Sequence, residues 1–426
     1  MFHISLKRRG FYSLLRKPSI IMICCAFSVP GMTKYKIKTL SNISPKGLEV
    51  LSNSSCVLDE NEEDPDGVLI RSTKLSPGNL NLSLKAISRA GVGVNNIPLD
   101  DCTERGIVVF NTPGANANAV KELVLAALML SSRNVFSSID FVKNLDHLDS
   151  MEDLEPFLEE NKKQFKGREL SGSTLGVLGL GSIGSKVARM GVALDMKVIG
   201  YDKALSVEAA WRLPSQVEPA ETIEELFKKS DFITLHIPAI DSTKGLINSQ
   251  LLKHCNETSL LNFARKEVVD DESIIEALEK NNLSNFITDF PTPTLIKRAN
   301  NQGDVILLPH IGASTSQAEE NCAVMATEQI TDFLQNGNIR NSVNFPNVNL
   351  ARSTKYRLAI TNKNVPAMIG QIATNLGELG LNIADMTNVS RGEIAYNLID
   401  IENEIQGDVI DKLSQIENIL NVRLVI

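Results

Sequence analysis

From Thr174 to Asp202 the sequence reads TLGVLGLGSIGSKVARMGVALDMKVIGYD, and no other stretch restricts the fold as strongly. An apolar run of strand length meets Gly179, Gly181 and Gly184 in the spacing GxGxxG, and a helical pattern follows at once. The three glycines then allow a tight turn, a close approach of backbone N–H groups to an anion, and close packing of helix on strand. Such a loop, completed by Ser182 and Ile183, seats a pyrophosphate on a helix N-terminus. Asp202 ends the next strand, where a carboxylate accepts hydrogen bonds from a ribose diol and repels a 2′-phosphate. NAD is therefore expected rather than NADP. A glycine-rich turn without a ligand is the competing reading.

The unit sits in a longer α/β alternation. From Tyr35 to about Val109, short runs such as KIKTL, GVLIRS and LKAISRAG alternate with helical or turn segments. GANANAVKELVLAALMLSSRNV reads as one long helix, and the charged stretch from Asp146 to Lys163 as a helical excursion. From Thr174 the alternation continues through DFITLHIP, TSLLNFA and NFITDF to VILLPHIGAST, in the manner of a doubly wound sheet. SQAEENCAVMATEQITDFLQNG is a helix able to cross back to the first unit, and NIRNSVNFPNVNLARS reads as a linker. From Lys355 to Ile426 the order becomes βαββαβ, which is ferredoxin-like. The expected fold is α/β: two doubly wound Rossmann-like domains and a ferredoxin-like C-terminal domain. Residues 34–133 with 313–345 form the first, 134–312 the second and 352–426 the third, after a disordered leader, 1–33.

A net charge of −8 argues against a general nucleic-acid binder, while leaving room for a local cationic pocket. The six cysteines show no CxxC spacing and the histidines do not cluster, so no disulfide framework and no metal site is expected. Reduced thiols suit a reducing compartment. The first 38 residues carry Lys7, Arg8, Arg9, Arg16 and Lys17 but no acidic residue, a bias shared with transit peptides. IIMICCAFSV is too short to span a bilayer, and Met32 is an alternative start. A cytoplasmic location is expected, with an organellar precursor as the alternative; no membrane association is expected.

In NFARKEVVDD, residues 262–271, Arg265 and Lys266 stand between an apolar strand-like run and a helical one. A helix N-terminus favours anions, so these cations do little for the helix. They face an anionic ligand or form a solvated surface pair.

GRELSGSTLGVLGLGSIG, LHIP followed by STKGLI, LLNFARKEVVD, ITDFP and LPHIGAST occur in that order. Together they resemble the D-2-hydroxyacid dehydrogenases. IRSTK, RAGVGVNNI, NTPGANANAVKE, NGNIRNSVNFP and the terminal βαββαβ segment narrow the resemblance to the branch that acts on D-3-phosphoglycerate and carries an ACT domain. The resemblance implies NAD-dependent oxidation of D-3-phosphoglycerate to 3-phosphohydroxypyruvate, the first step of serine synthesis, in a homodimer or homotetramer. Arg265 would hold the carboxylate and polarise C2–O, for which its planar fork suits it, and His310 would take the hydroxyl proton. Arg71 and Arg89, the loop at Gly93, Val94 and Asn95, and Lys121 would bind the substrate's anionic groups. His236, Pro238, Thr243, Ala264, Asp289 and Gly312 would join the glycine loop around NAD, with Asp289 holding the nicotinamide amide.

The sequence departs from that family in two places. Thr294 stands where a glutamate usually supports the histidine, and no Glu occurs between Asp289 and Asp304. Lys266 stands where glycine commonly follows the arginine; beside Arg265 and partly desolvated, it is expected to assist or replace His310. In the terminal segment, Asn364 and Asn382 match a serine-binding pattern, and Asn362 stands where histidine is common. Such a site would hold a small amino acid as effector. Competing readings are a dehydrogenase for another 2-hydroxy or 2-oxo acid, an NAD-sensing corepressor-like protein, and a terminal domain that only mediates oligomerisation.

Overall fold

Strands made of Val, Ile and Leu with no polar alternation are suited to burial on both faces, which is how parallel sheets are built. The computed structural model describes residues 35–426 except Ser206, Arg212 and Gln406; the expected leader lies outside the described residues. Gly67–Ile70 is buried at all four positions. It is β3 of a parallel sheet that also contains β1 (Tyr35–Thr39), β2 (Cys56–Leu58), β4 (Ala86–Arg89) and β5 (Val108–Phe110), in the order β2-β1-β3-β4-β5. The second sheet is also parallel. It comprises β6 (Thr174–Leu178), β7 (Lys197–Tyr201), β8 (Val217–Pro219), β9 (Phe232–Leu235), β10 (Thr258–Asn262), β11 (Leu283–Thr288) and β12 (Val305–Leu307). Its order is β12-β11-β10-β9-β6-β7-β8, so the chain reverses direction between β6 and β9. Ligands of doubly wound sheets bind at that reversal, beyond the carboxyl ends of the strands.

The long helix expected from the Ala/Leu run spans Ala117–Ser132 and then bends by 68° into Val135–Lys143. Its Val120, Val124, Ala127 and Leu128 are buried with Leu175, Val177, Val187 and Ile287 of the second sheet's core. The boundary expected at residue 133 therefore falls after a helix that packs with the second sheet. The charged excursion contains the helix Met151–Asn161.

The helix Ser316–Asn336 does cross back. Its Ala323, Ala326, Ile330, Phe333 and Leu334 complete the first sheet's core, and Phe333 meets Phe110 edge-on at 5.7 Å. The polar stretch after it is not a free linker. Val343 N–H donates to the Val109 carbonyl at 2.9 Å, and Asn344 Oδ1 accepts from Val109 N–H at 2.8 Å. These bonds cover the open edge of β5, while Phe345 is buried beneath them.

The third sheet is antiparallel, ordered β14-β15-β13-β16 from β13 (Tyr356–Lys363), β14 (Ile383–Arg391), β15 (Ile394–Ile401) and β16 (Ile419–Val425). With the helices Met368–Glu378 and Gly407–Ser414 it has the expected ferredoxin-like order. It is fastened to the end of the crossing helix. Arg357 and Asp400, both fully buried, form a two-pronged pair at 2.6 and 2.9 Å. The same guanidinium donates to the Asn336 and Leu350 carbonyls at 2.9 Å each. Arg423 donates to the Phe333 and Leu334 carbonyls at 2.8 and 3.0 Å, and Tyr396 Oη to the Gly337 carbonyl at 2.9 Å. The last carbonyls of a helix have no partner within it and carry negative partial charge, so two guanidiniums are apt there.

Removing one partner of a buried ion pair strands the other. Arg357→Leu should lower stability by about 3–5 kcal/mol, and the double variant Arg357→Leu/Asp400→Leu by less. Urea unfolding of the two proteins measures the difference; equal losses would show that the stranded carboxylate is not the cost.

Candidate functional site

The nucleotide loop joins β6 to the helix Gly184–Ala193. Gly179 has φ +92°, and a Cβ there would lie 2.6 Å from the His236 carbonyl oxygen. A Cβ on Gly184 would lie 1.8 Å from the Gly179 carbonyl oxygen, whereas one on Gly181 would meet nothing within 4 Å. Two glycines are thus required by packing, and the third leaves its backbone open to a ligand. Asp202 accepts from Leu180 N–H at 2.8 Å and Ala204 N–H at 2.9 Å, which fixes its carboxylate beside the loop. Glycine is also required opposite: Gly114 has φ +84°, and a Cβ there would come within 3.0 Å of Ser182. These residues fit a dinucleotide.

A cavity of about 790 Å³ runs from this loop into the first sheet's loops. Arg71, Arg89, Gly93, Val94, Asn95, Ile183, Arg265, Lys266, Asp289, His310 and Gly312 line it, so elements more than 200 residues apart in sequence converge as expected. Arg89 is anchored: Nε donates to the Arg71 carbonyl at 3.0 Å and Nη1 to the Gly93 carbonyl. Burial, then the positive neighbours Arg71 and Arg265, push its pKa down, which outweighs the opposing influence of the nearby Cys322. Arg71 is paired with Glu319 at 2.5 Å.

Two strand ends hold the remaining groups. At the end of β10, buried Asn262 accepts from Ala264 N–H at 3.0 Å and donates to the Arg265 carbonyl at 2.9 Å. This fixes the turn from which Arg265 enters the cavity, its Nη1 donating to the Ala264 carbonyl at 2.7 Å. After β11, Asp289 accepts from Ile311 and Gly312 N–H at 2.7 Å each. His310 itself has φ +57°, a conformation costly for a residue with a Cβ, and its ring stands edge-on to Phe290 at 5.0 Å. Asp289 therefore holds the His310 loop as well as facing the cavity.

Other expectations differ from what the structure shows. Lys266 lines the cavity but is exposed, so the desolvation on which its role as a base leaned is absent. Lys121 is outside the lining and lies 3.5 Å from Glu122. Pro238 and Thr243 close a turn, Thr243 Oγ1 donating to the Pro238 carbonyl at 2.6 Å, and present Ala239 and Lys244 to the cavity instead. His236 meets Gly179 through its carbonyl; its Nε2 lies 2.9 Å from Thr234 Oγ1, and its buried Nδ1 has no partner among the described residues. Thr294 is in the helix Pro293–Gln302, outside the lining. Glu267, Phe290, Glu319 and Cys322, not singled out from sequence, line the cavity.

In the third sheet, Asn362 is buried and spends its amide on the Lys363 carbonyl at 2.6 Å and on Asn397 at 2.7 Å, so it has no face for an effector. Asn364 donates to the Gly392 carbonyl at 3.1 Å and Asn382 to Glu402 at 2.6 Å. The register puts Tyr356 and Ile383 level with Ile401, and Lys363 and Arg391 level with Ile394. Asn382 and Asn364 thus lie beyond opposite ends of the sheet, roughly 30 Å apart at 3.3 Å per residue.

Residues 126–312 match the family model for the D-isomer specific 2-hydroxyacid dehydrogenase NAD-binding domain. A hydroxypyruvate reductase from Thermotoga maritima is 34% identical over 254 residues, which are 58% of this chain and 77% of that protein. The chain belongs to the D-2-hydroxyacid dehydrogenase family. A D-3-phosphoglycerate dehydrogenase from Synechocystis is 33% identical over 360 residues, 80% of this chain; the chain spans 62% of that protein's length. An NAD+-bound 3-phosphoglycerate dehydrogenase from Entamoeba histolytica is similar in structure, with a TM-score of 0.55 and 28% identity, covering 73% of this chain and 99% of that one. Family membership gives residues 126–312 their cofactor, NAD.

Enclosure pushes the His236 pKa down to about 3. The unfolded chain takes up that proton near pH 6.5 and the folded one does not, so stability falls as pH drops from 6.5 towards 3. The slope from this group should approach about 1.4 kcal/mol per pH unit and vanish in His236→Asn. Unfolding midpoints between pH 7 and pH 5 measure it.

Proposed function

We propose that the chain oxidises D-3-phosphoglycerate to 3-phosphohydroxypyruvate with NAD as acceptor. The observation that carries this reading is the convergence of Arg71, Arg89, Arg265 and His310 on one cavity that opens on the nucleotide loop. Such a substrate has anionic groups at both ends and a secondary alcohol between them. Arg265 holds the carboxylate and polarises C2–O, while Arg71 and Arg89 receive the phosphate. His310 takes the hydroxyl proton as the C2–O bond gains double-bond character. NAD, when bound, supplies the acceptor for the hydride leaving C2. Lys266, exposed at the rim, adds positive charge for the incoming anion.

A second reading, oxidation of a 2-hydroxy acid without a distal anion, is favoured by the pairing of Arg71 with Glu319. NADH formation from 3-phosphoglycerate, D-glycerate, lactate and 2-hydroxyglutarate, measured side by side, separates the two.

We also propose that the third sheet takes a small amino acid such as serine between two copies of the chain. Asn364 and Asn382 lie too far apart to grip one ligand within a single copy. A dimer or tetramer is the assembly this requires.

Three outcomes are expected. His310→Ala should lower kcat by about 10² to 10⁴, as loss of a positioned base does, while Lys266→Met should raise KM and change kcat by less than about threefold. Collapse of kcat in the lysine variant alone would move the proton to Lys266. Asp202→Ala should narrow the preference for NAD over NADP, read as the ratio of kcat/KM for the two.

A further inference from the structure

Arg71 and Glu319 are 248 residues apart in sequence and meet at 2.5 Å, each less than half exposed. Both line the main cavity, and with Ala90 both also line a side cavity of about 220 Å³. The pair stands where the two cavities adjoin. Glu319 lies in the first turn of the helix Ser316–Asn336, where a carboxylate is favoured by the helix dipole without any arginine. Glu320 beside it is occupied by Lys46 at 2.6 Å, outside the main cavity. Of these two carboxylates only Glu319 reaches a substrate cation, and it does so in a cleft whose ligand is an anion.

We propose that Glu319 is a specificity-determining residue: its carboxylate competes with the substrate's distal anionic group for Arg71. This deepens the reading above and rests on it. Arg89 is held by backbone carbonyls and, among the described residues, is not claimed by any carboxylate, so it receives an anion directly. Arg71 receives one only when Glu319 gives way. A 2-hydroxy acid with no distal anion leaves the pair closed. Opening it joins the side cavity to the main one, making room for a tetrahedral group.

The test compares wild type with Glu319→Gln, which keeps the shape and removes the charge. A half-exposed ion pair is worth a factor of about five at most, so KM for 3-phosphoglycerate should fall about three- to fivefold. KM or Ki for D-glycerate should move less than twofold, and the selectivity change should disappear in an Arg71→Gln background. Calorimetric titration of the full-length protein with inorganic phosphate should show tighter binding in Glu319→Gln by a similar factor. Unchanged or weaker phosphate binding, or equal shifts for 3-phosphoglycerate and D-glycerate, overturns the proposal. The titration needs no turnover. If wild type forms no NADH from 3-phosphoglycerate while phosphate binding still tightens, the proposed reaction falls and the competition stands.

Discussion

The helix Ser316–Asn336 is the member on which the other parts close. Its 21 residues make a rod of roughly 32 Å at 1.5 Å per residue. One end brings Glu319 to the cavity, the middle fills the first sheet's core, and the far end gives its carbonyls to Arg357, Arg423 and Tyr396. Apolar burial fixes its position and the guanidiniums fix its end. The order of magnitude differs: buried side chains contribute about 1.5–3 kcal/mol each, whereas the net gain from a satisfied carbonyl is about 1 kcal/mol. The polar contacts matter more for what their loss would leave behind, buried carbonyls and an uncompensated charge.

The site is placed by two side chains at adjacent strand ends. Asn262 fixes the turn before Arg265, and Asp289 fixes the turn around His310. A positive φ costs a residue such as His310 roughly 1–2 kcal/mol. Two backbone N–H bonds to a carboxylate, at about 1.5–3 kcal/mol each, exceed that cost. Strain at His310 is thus held by a neighbour that also faces the cavity, so the loop geometry and a cavity-lining carboxylate depend on one residue.

What was legible in the sequence is what is local. The glycine loop, Asp202 and Arg265 stand within a few residues of the strands that carry them, so spacing alone locates them. Three-residue strands such as Cys56–Leu58 and Val108–Phe110 are too short to show a period. The stretch from Asn338 to Val348 looked like a linker because its residues are polar, but those polar groups cap the edge of β5. Asn362 looked like a ligand and proved to be an interior bond to Asn397, a partner that only the strand register supplies. Lys266 stands beside Arg265 in the same turn, yet its exposure could not be read from its neighbours. Glu319 reads as an ordinary first-turn acid until Arg71 is brought to it.

The crossing helix also sets an order of assembly. The first sheet is complete in sequence at Phe110, but the helix that covers its core ends at Asn336. At 5–20 residues per second, a ribosome needs roughly 11 to 45 s to make the intervening chain. During that interval Ile37, Leu69 and Phe110 lack Ala326, Ile330 and Phe333, the side chains that bury them. The first lobe is therefore begun early and finished late, and a nascent chain halted before residue 336 exposes an open parallel sheet of the kind that chaperones bind.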